Sequence, residues 1–177
     1  MKRKIVTVHE ESLRQPSKEV LKIDKKVKAV IADLIDTLKS QKDPEGIGLA
    51  APQIGKNIQM FVVNYDGLKR VMINPKVLKT VTVAKKKKHK NHKILEGCLS
   101  LPHYYSPVDR ANLIRVEYLD ENGIKKQETF KGFKAHVVQH EIDHLNGTIF
   151  IDHVLVQKKP LYKFHGEDYE EVELELV

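Results

Sequence analysis

Apolar residues fall at helical spacing in one early stretch of the chain, where Val27, Val30, Ile31, Leu34, Ile35 and Leu38 share one side of a helical repeat. The pattern predicts an amphipathic helix over 25–39, with Asp24 placed to cap its first N–H groups. The run Asp-Pro-Glu-Gly at 43–46 breaks the chain after it. The period then changes. QMFVVNY (59–65) and VMINPKVL (71–78) are short, rich in branched side chains and separated by the turn signal Asp66-Gly67, and VTV (81–83) extends the second. LIRVEYL (113–119) alternates, DENG (120–123) turns and IKKQETF (124–130) returns, which reads as a hairpin. A second helix is predicted over 133–145, stopped by Asn146-Gly147. The closing VELELV (172–177) alternates as an added edge strand would. Helix, strands and helix in that order, without repeats or a linker, predict one α+β domain over 1–177. Antiparallel or mixed β-sheets are expected to pack around the second helix, with the amphipathic helix N-terminal to them.

Composition adds bounds rather than a function. The chain of 177 residues is 41% hydrophobic and 31% charged, as in ordinary soluble domains. It has no apolar run near the roughly 18 residues needed to span a bilayer. Its start, MKRKIVTVHE, is basic but has no apolar stretch of the signal-peptide kind, so no membrane association and a cytoplasmic location are expected. The net charge of +7 is unevenly placed. KKKKHKNHK (85–93) carries six lysines, while 167–175, within the C-terminal tail 160–177, carries six carboxylates and no base. Both runs read as solvated surface. The sharper reading of the first is a loop that meets a polyanion such as RNA, although no aromatic residue interleaves with the lysines.

The second predicted helix carries the chemistry. His140 and His144 stand four apart, offset by about 40° and about 6 Å along the axis, so both imidazoles reach one ion from one face. Glu141 points about 100° away from His140, free to approach water beside the ion without ligating it. Two ligands with an adjacent base suit a metal-dependent hydrolase. A third ligand must come from elsewhere. His136 is one further turn back, and three histidines over two turns spread about 12 Å, too far for one ion. His89 and His92 sit in the lysine run, where positive charge opposes a cation; His103 is a further candidate. Asp152 and His153 lie beyond the predicted helix end. Cys98, the only cysteine, remains: either a small buried hydrophobe or a thiolate ligand. Two histidines and a cysteine with one open position make a catalytic set.

Three stretches, GIGLAAPQIG (46–55), EGCLSLP (96–102) and QHEIDHLNG (139–147), resemble the three motifs of the peptide deformylase family in order and spacing. The resemblance covers about residues 3–153. It implies removal of the formyl group from N-formylmethionine on nascent polypeptides, with release of formate. It implies Cys98, His140 and His144 as metal ligands, Glu141 as general base and later proton donor, and the Gln53 amide with the Leu99 backbone N–H as oxyanion partners. The resemblance implies Fe²⁺ as the divalent ion, while a thiolate with two imidazoles would equally hold Zn²⁺, Ni²⁺ or Co²⁺. The methionine pocket is implied to include Ile47, Ile94, Leu99, Phe133, His136 and Val137. Gly46 and Gly48 leave room for an extended peptide to pair as an added strand, or simply form a tight turn. The family also suggests that Arg110 pairs with Glu96 and braces the cysteine motif.

The chain departs from the family pattern at Tyr105, where an arginine is usual, and at His136, where an aliphatic residue or arginine is usual. Its acidic tail differs from the basic C-terminal helix of some members, so a place near the ribosome rests on the lysine run alone. Two rival readings stand beside this one. A zinc endopeptidase explains HExxH but leaves the glycine and cysteine motifs idle. A basic RNA- or ribosome-binding protein with a structural metal explains the lysine run alone.

Overall fold

The computed structural model describes residues 1–82 and 94–173. The lysine run, with His89 and His92, and the last residues of the alternating tail lie outside the described residues.

Helix α1 (Lys25–Ser40) forms where the apolar spacing places it, and its start is set by one carboxylate. Asp24 Oδ1 accepts the N–H groups of Lys26 and Val27 at 2.9 and 3.0 Å, satisfying donors that the helix itself leaves open. Strands β1 (Gly48–Ala50), β2 (Met60–Tyr65), β3 (Leu68–Val81), β6 (Leu113–Leu119) and β7 (Lys125–Lys131) form one sheet in the order β1-β2-β3-β6-β7. Asp66 and Gly67 join β2 to β3 with φ of 45° and 74°, the left-handed pair that a two-residue hairpin turn requires. Among the described residues every pairing between these strands is antiparallel, and the parallel contact Lys18–Ile58 is an isolated bridge outside them.

The first sheet is covered on both faces near β2, which is why Met60, Phe61, Val62 and Val63 are all buried instead of alternating. Met60 and Val62 pack with Leu34 and Leu38 of α1. Phe61 and Val63 pack with Val137, Val138 and Leu145 of helix α2 (Phe133–Leu145) on the opposite face. Gly147 ends α2 with φ of 73°, and a Cβ there would lie 2.5 Å from the Arg14 carbonyl oxygen, so both backbone and space demand glycine.

A second sheet has the order β4-β5-β8-β9, from β4 (Glu96–Cys98), β5 (Leu101–Ser106), β8 (Leu161–Phe164) and β9 (Tyr169–Val172). Helix α3 (Phe150–Gln157), which the sequence pattern did not predict, packs on it through Phe150 and Val154. Ile149 stands at its N-cap position, where no side-chain cap is visible in the sequence. The carboxylate of Asp152 reaches back to the Ile149 N–H at 2.9 Å instead. The tail contributes an edge strand, β9, that reaches only the first residue of the alternating run. β9 ends at Val172, its position set by a turn in which the His165 N–H donates to the Asp168 carbonyl at 3.0 Å. No helix among the described residues is long and apolar enough to cross a membrane.

Candidate metal centre

Helix α2 runs between the edge strands of the two sheets, β1 on one side and β4 on the other, and the candidate ligands meet there. His140 meets Glu96 and His144 meets Cys98, the first and last residues of β4. Cys98 Sγ lies 3.3 Å from His144 Nε2, and the ligand atoms of Cys98, His140 and His144 all lie within 4.8 Å of one another. All three are buried. His140 turns its Nδ1 to Glu96 Oε1 at 2.8 Å, which leaves its Nε2 for an ion. Arg110 grips both oxygens of Glu96, at 2.7 and 2.6 Å, and Asp143 Oδ2 at 2.6 Å. His153 Nε2 meets that same Asp143 oxygen at 2.8 Å.

Electrostatics prepare this set for a cation. Burial works against the Cys98 thiolate, yet the imidazoles of His144 and His140 outweigh it and hold the thiol well below its ordinary range. Burial also opposes a charged His140, while Cys98 and Glu96 draw its pKa well above the ordinary value. A divalent ion would take the place of those protons between thiolate and imidazoles. A soft thiolate and two imidazoles, in contact and shielded from solvent, suit a divalent transition metal.

Glu141 is 3% exposed, and burial pushes its carboxyl up to about 7. Among the described residues its Oε2 has no hydrogen-bond partner. A buried carboxylate oxygen left open beside a ligand set is costly structurally and useful chemically. Gly48 of β1 makes room for it, since a Cβ at that position would overlap the Glu141 carboxylate. Gln53, in the 3-10 turn Ala51–Ile54, accepts the Ala50 N–H through Oε1 at 2.9 Å. That contact fixes the amide so that Nε2 faces Ser100 Oγ at 3.2 Å and Cys98 Sγ at 3.6 Å.

A cavity of about 230 Å³ opens beside these groups. Ile47, Gly48, Gln53, Cys98, Leu99, Phe133, His136, Val137, His140 and Glu141 line it, together with His103 and Tyr105. His144 lies behind them, fully buried. Of the expected substrate-binding residues, Ile94 and Gly46 are not among those lining the cavity. Ile94 is 39% exposed, and its neighbour Leu95 takes the wall position. Gly46 packs against Leu38 and Gln41, where a Cβ would meet Leu38 Cδ1 at 2.7 Å. The sequence reading missed Ser100 as a partner of Gln53 and Asp143 as a partner of Arg110. Asp143 had a visible signal, a carboxylate inside HEIDH one residue before a ligand.

The sequence profile of polypeptide deformylase matches residues 2–160. A peptide deformylase of Pseudothermotoga lettingae is 40% identical over 152 residues, covering 86% of this chain and 82% of its own length. One of Psychrobacter cryohalolentis is 41% identical over 153 residues, covering 85% of this chain and 78% of its own. Among solved structures, the peptide deformylase of Thermotoga maritima superposes with a TM-score of 0.77 at 33% identity, covering 86% of this chain and 97% of that one. The peptide deformylase of Synechococcus elongatus in complex with actinonin gives 0.75 at 38% identity, covering 84% and 76%. With its three motifs gathered around one buried Cys-His-His group and matched over most of its length, the chain belongs to the polypeptide deformylase family.

Proposed function

We propose that this site hydrolyses the N-terminal formamide of formylmethionyl nascent peptides, with Cys98, His140 and His144 holding one divalent ion. The observation that carries the assignment is the buried, open oxygen of Glu141 beside that ligand set. A bound ion supplies a Lewis acid and lowers the pKa of water toward neutrality. Glu141 accepts a proton from the attacking water and delivers it to the departing nitrogen as the C–N bond breaks, leaving formate and a free amine. A carboxyl raised to about 7 suits both directions of that transfer. The Gln53 amide, fixed through Ala50, and the Leu99 backbone N–H donate to the oxyanion.

The formyl carbon bears only hydrogen, so a narrow site admits it and rejects bulkier acyl groups. Ile47, Leu99, Phe133, His136 and Val137 offer a mainly apolar wall for the methionine side chain. β1 is the outer strand of its sheet, so an extended peptide can pair along Gly48. Fe²⁺ is the proposed ion, with Zn²⁺, Ni²⁺ and Co²⁺ as replacements; the thiolate makes an iron site oxygen-sensitive. Formylated nascent chains as substrate place the reaction in the cytoplasm, beside translation. Actinonin, present in the Synechococcus elongatus relative, is expected to compete with substrate here.

The test is formate release from formyl-Met-Ala-Ser by anaerobically purified protein, with Glu141→Ala and Cys98→Ser in parallel. Wild type releases formate and both variants lose it. Absence of release with iron, nickel or cobalt loaded overturns the assignment.

A further inference from the structure

The ligand His140 is the inner end of a chain of charged groups that runs to the surface. Its Nδ1 meets Glu96, Glu96 is gripped by Arg110, Arg110 reaches Asp143, and Asp143 meets His153. The contacts are 2.8, 2.6, 2.6 and 2.8 Å in that order. Exposure rises outward after the first steps: the side chains of Arg110 and Glu96 are 4% and 7% exposed, and those of Asp143 and His153 are 21% and 30%.

The two carboxylates of this chain, Glu96 and Asp143, share one guanidinium. Burial penalises each of them. His153 supplies the second donor, on the same Asp143 oxygen that Arg110 uses. It comes from α3, whereas Glu96 belongs to β4, His140 and Asp143 to α2, and Arg110 to the segment between β5 and β6. The direction of the His140 ring therefore depends on four separate parts of the chain.

We propose that His153 is a positioning residue for the metal ligand His140, acting through Asp143, Arg110 and Glu96. By sharing Asp143, it limits how far that carboxylate can draw the guanidinium away from Glu96. Arg110 then keeps its forked grip, and Glu96 holds the His140 ring with Nε2 directed at the ion. Partners one step outside the ligands normally tune metal affinity strongly. The chain here extends that control to a half-exposed side chain on a helix that contributes no ligand. This inference rests on the metal-ligand assignment above, not on the identity of the substrate.

The test uses the full chain loaded with Co²⁺, reading its visible absorption and its Co²⁺ affinity by chelator competition. His153→Phe keeps a ring but removes the donor. It is expected to weaken Co²⁺ binding about tenfold, the lower end of the range for outer partners, and to displace the ligand-field bands. His153→Gln retains an amide donor for Asp143 and should restore both readouts to near wild type. Asp152→Asn breaks the Arg14 pair and weakens the cap of α3 without touching the chain to His140, so it should lower thermal stability and leave the cobalt spectrum unchanged. Wild-type affinity and spectrum in His153→Phe overturn the proposal. So does a His153→Gln no better than His153→Phe, or an Asp152→Asn that disturbs the spectrum equally, since either reduces His153 to a docking contact. None of these readouts involves a formylated peptide, so their failure is distinct from failure of the deformylase assignment.

Discussion

Gly48 and Glu141 occupy adjoining space so closely that a Cβ on the glycine would stand 2.8 Å from the Glu141 carboxyl carbon and overlap its Oε1. Gly48 is held in β1 by pairing with Val63, so the strand cannot retreat without disturbing β2. The carboxylate must move instead. Gly48→Ala is therefore expected to lower kcat by roughly a hundredfold, as for a misplacement of about 1 Å, while metal content and far-ultraviolet circular dichroism stay those of wild type. Loss confined to KM would mean that the glycine serves peptide binding alone.

Arg110 stands between two carboxylates and is itself almost wholly buried. Removing it strands Glu96 and Asp143 without their common partner. Arg110→Ala should cost about 3–5 kcal/mol in urea unfolding, the penalty typical of breaking a buried pair from one side. Arg110→Lys keeps the charge but cannot fork across both oxygens of Glu96, so its loss should fall between. A cost within the error of surface substitutions would show that water already reaches these groups.

Much of the site was legible because its signals are local. HExxH places two imidazoles and a carboxylate by helix geometry alone, and α2 ends where Asn146-Gly147 indicates. The Asp66-Gly67 hairpin was likewise written in two residues. α3 was not legible, because its cap is Asp152 reaching back to Ile149 and its apolar face makes sense only against β4 and β5. The absence of Ile94 from the cavity wall has a similar origin. Ile94 and Leu95 precede β4, and the direction in which the chain enters that strand, which no local pattern reveals, leaves Leu95 on the wall and Ile94 exposed.

Phe133 and Ile94 give a direct contrast within the implied methionine pocket. Phe133 lines the cavity and meets Tyr65 edge-on with ring centroids 4.9 Å apart, whereas Ile94 is exposed outside it. Phe133→Ala is expected to raise KM for formylmethionyl peptides about tenfold with a smaller effect on kcat, since it removes binding shared by substrate and transition state. Ile94→Ala should leave both parameters unchanged. Steady-state kinetics on formyl-Met-Ala-Ser separates them, and equal effects from the two would move the pocket toward β4.

Gly147 is constrained twice, by its φ of 73° and by the Arg14 carbonyl. Gly147→Ala should destabilise the fold by about 1–3 kcal/mol, with the strain relieved by shifting the segment around Arg14 away from α2. Equilibrium unfolding measures the cost. A stabilising effect, the usual result of replacing glycine where φ is negative, would contradict the close approach.

Far from the metal centre, Glu128 of β7 accepts from Arg70 Nε at 2.9 Å and from the Tyr118 hydroxyl. Burial pushes its carboxyl up, but these two donors outweigh burial and hold it below the ordinary 4.5. A carboxyl depressed in the folded state contributes stability above its unfolded pKa and loses that contribution as pH falls through the folded value. Glu128→Gln should therefore unfold at a lower temperature than wild type at neutral pH, and the gap should close once pH drops below about 4.5. Thermal unfolding of the two proteins in the same buffers, from neutral pH to about pH 3, makes the comparison. Both carry the same metal centre, so acid release of an ion cancels in the difference. A gap that stays constant with pH would assign the loss to packing around Tyr118 and not to the charge on Glu128.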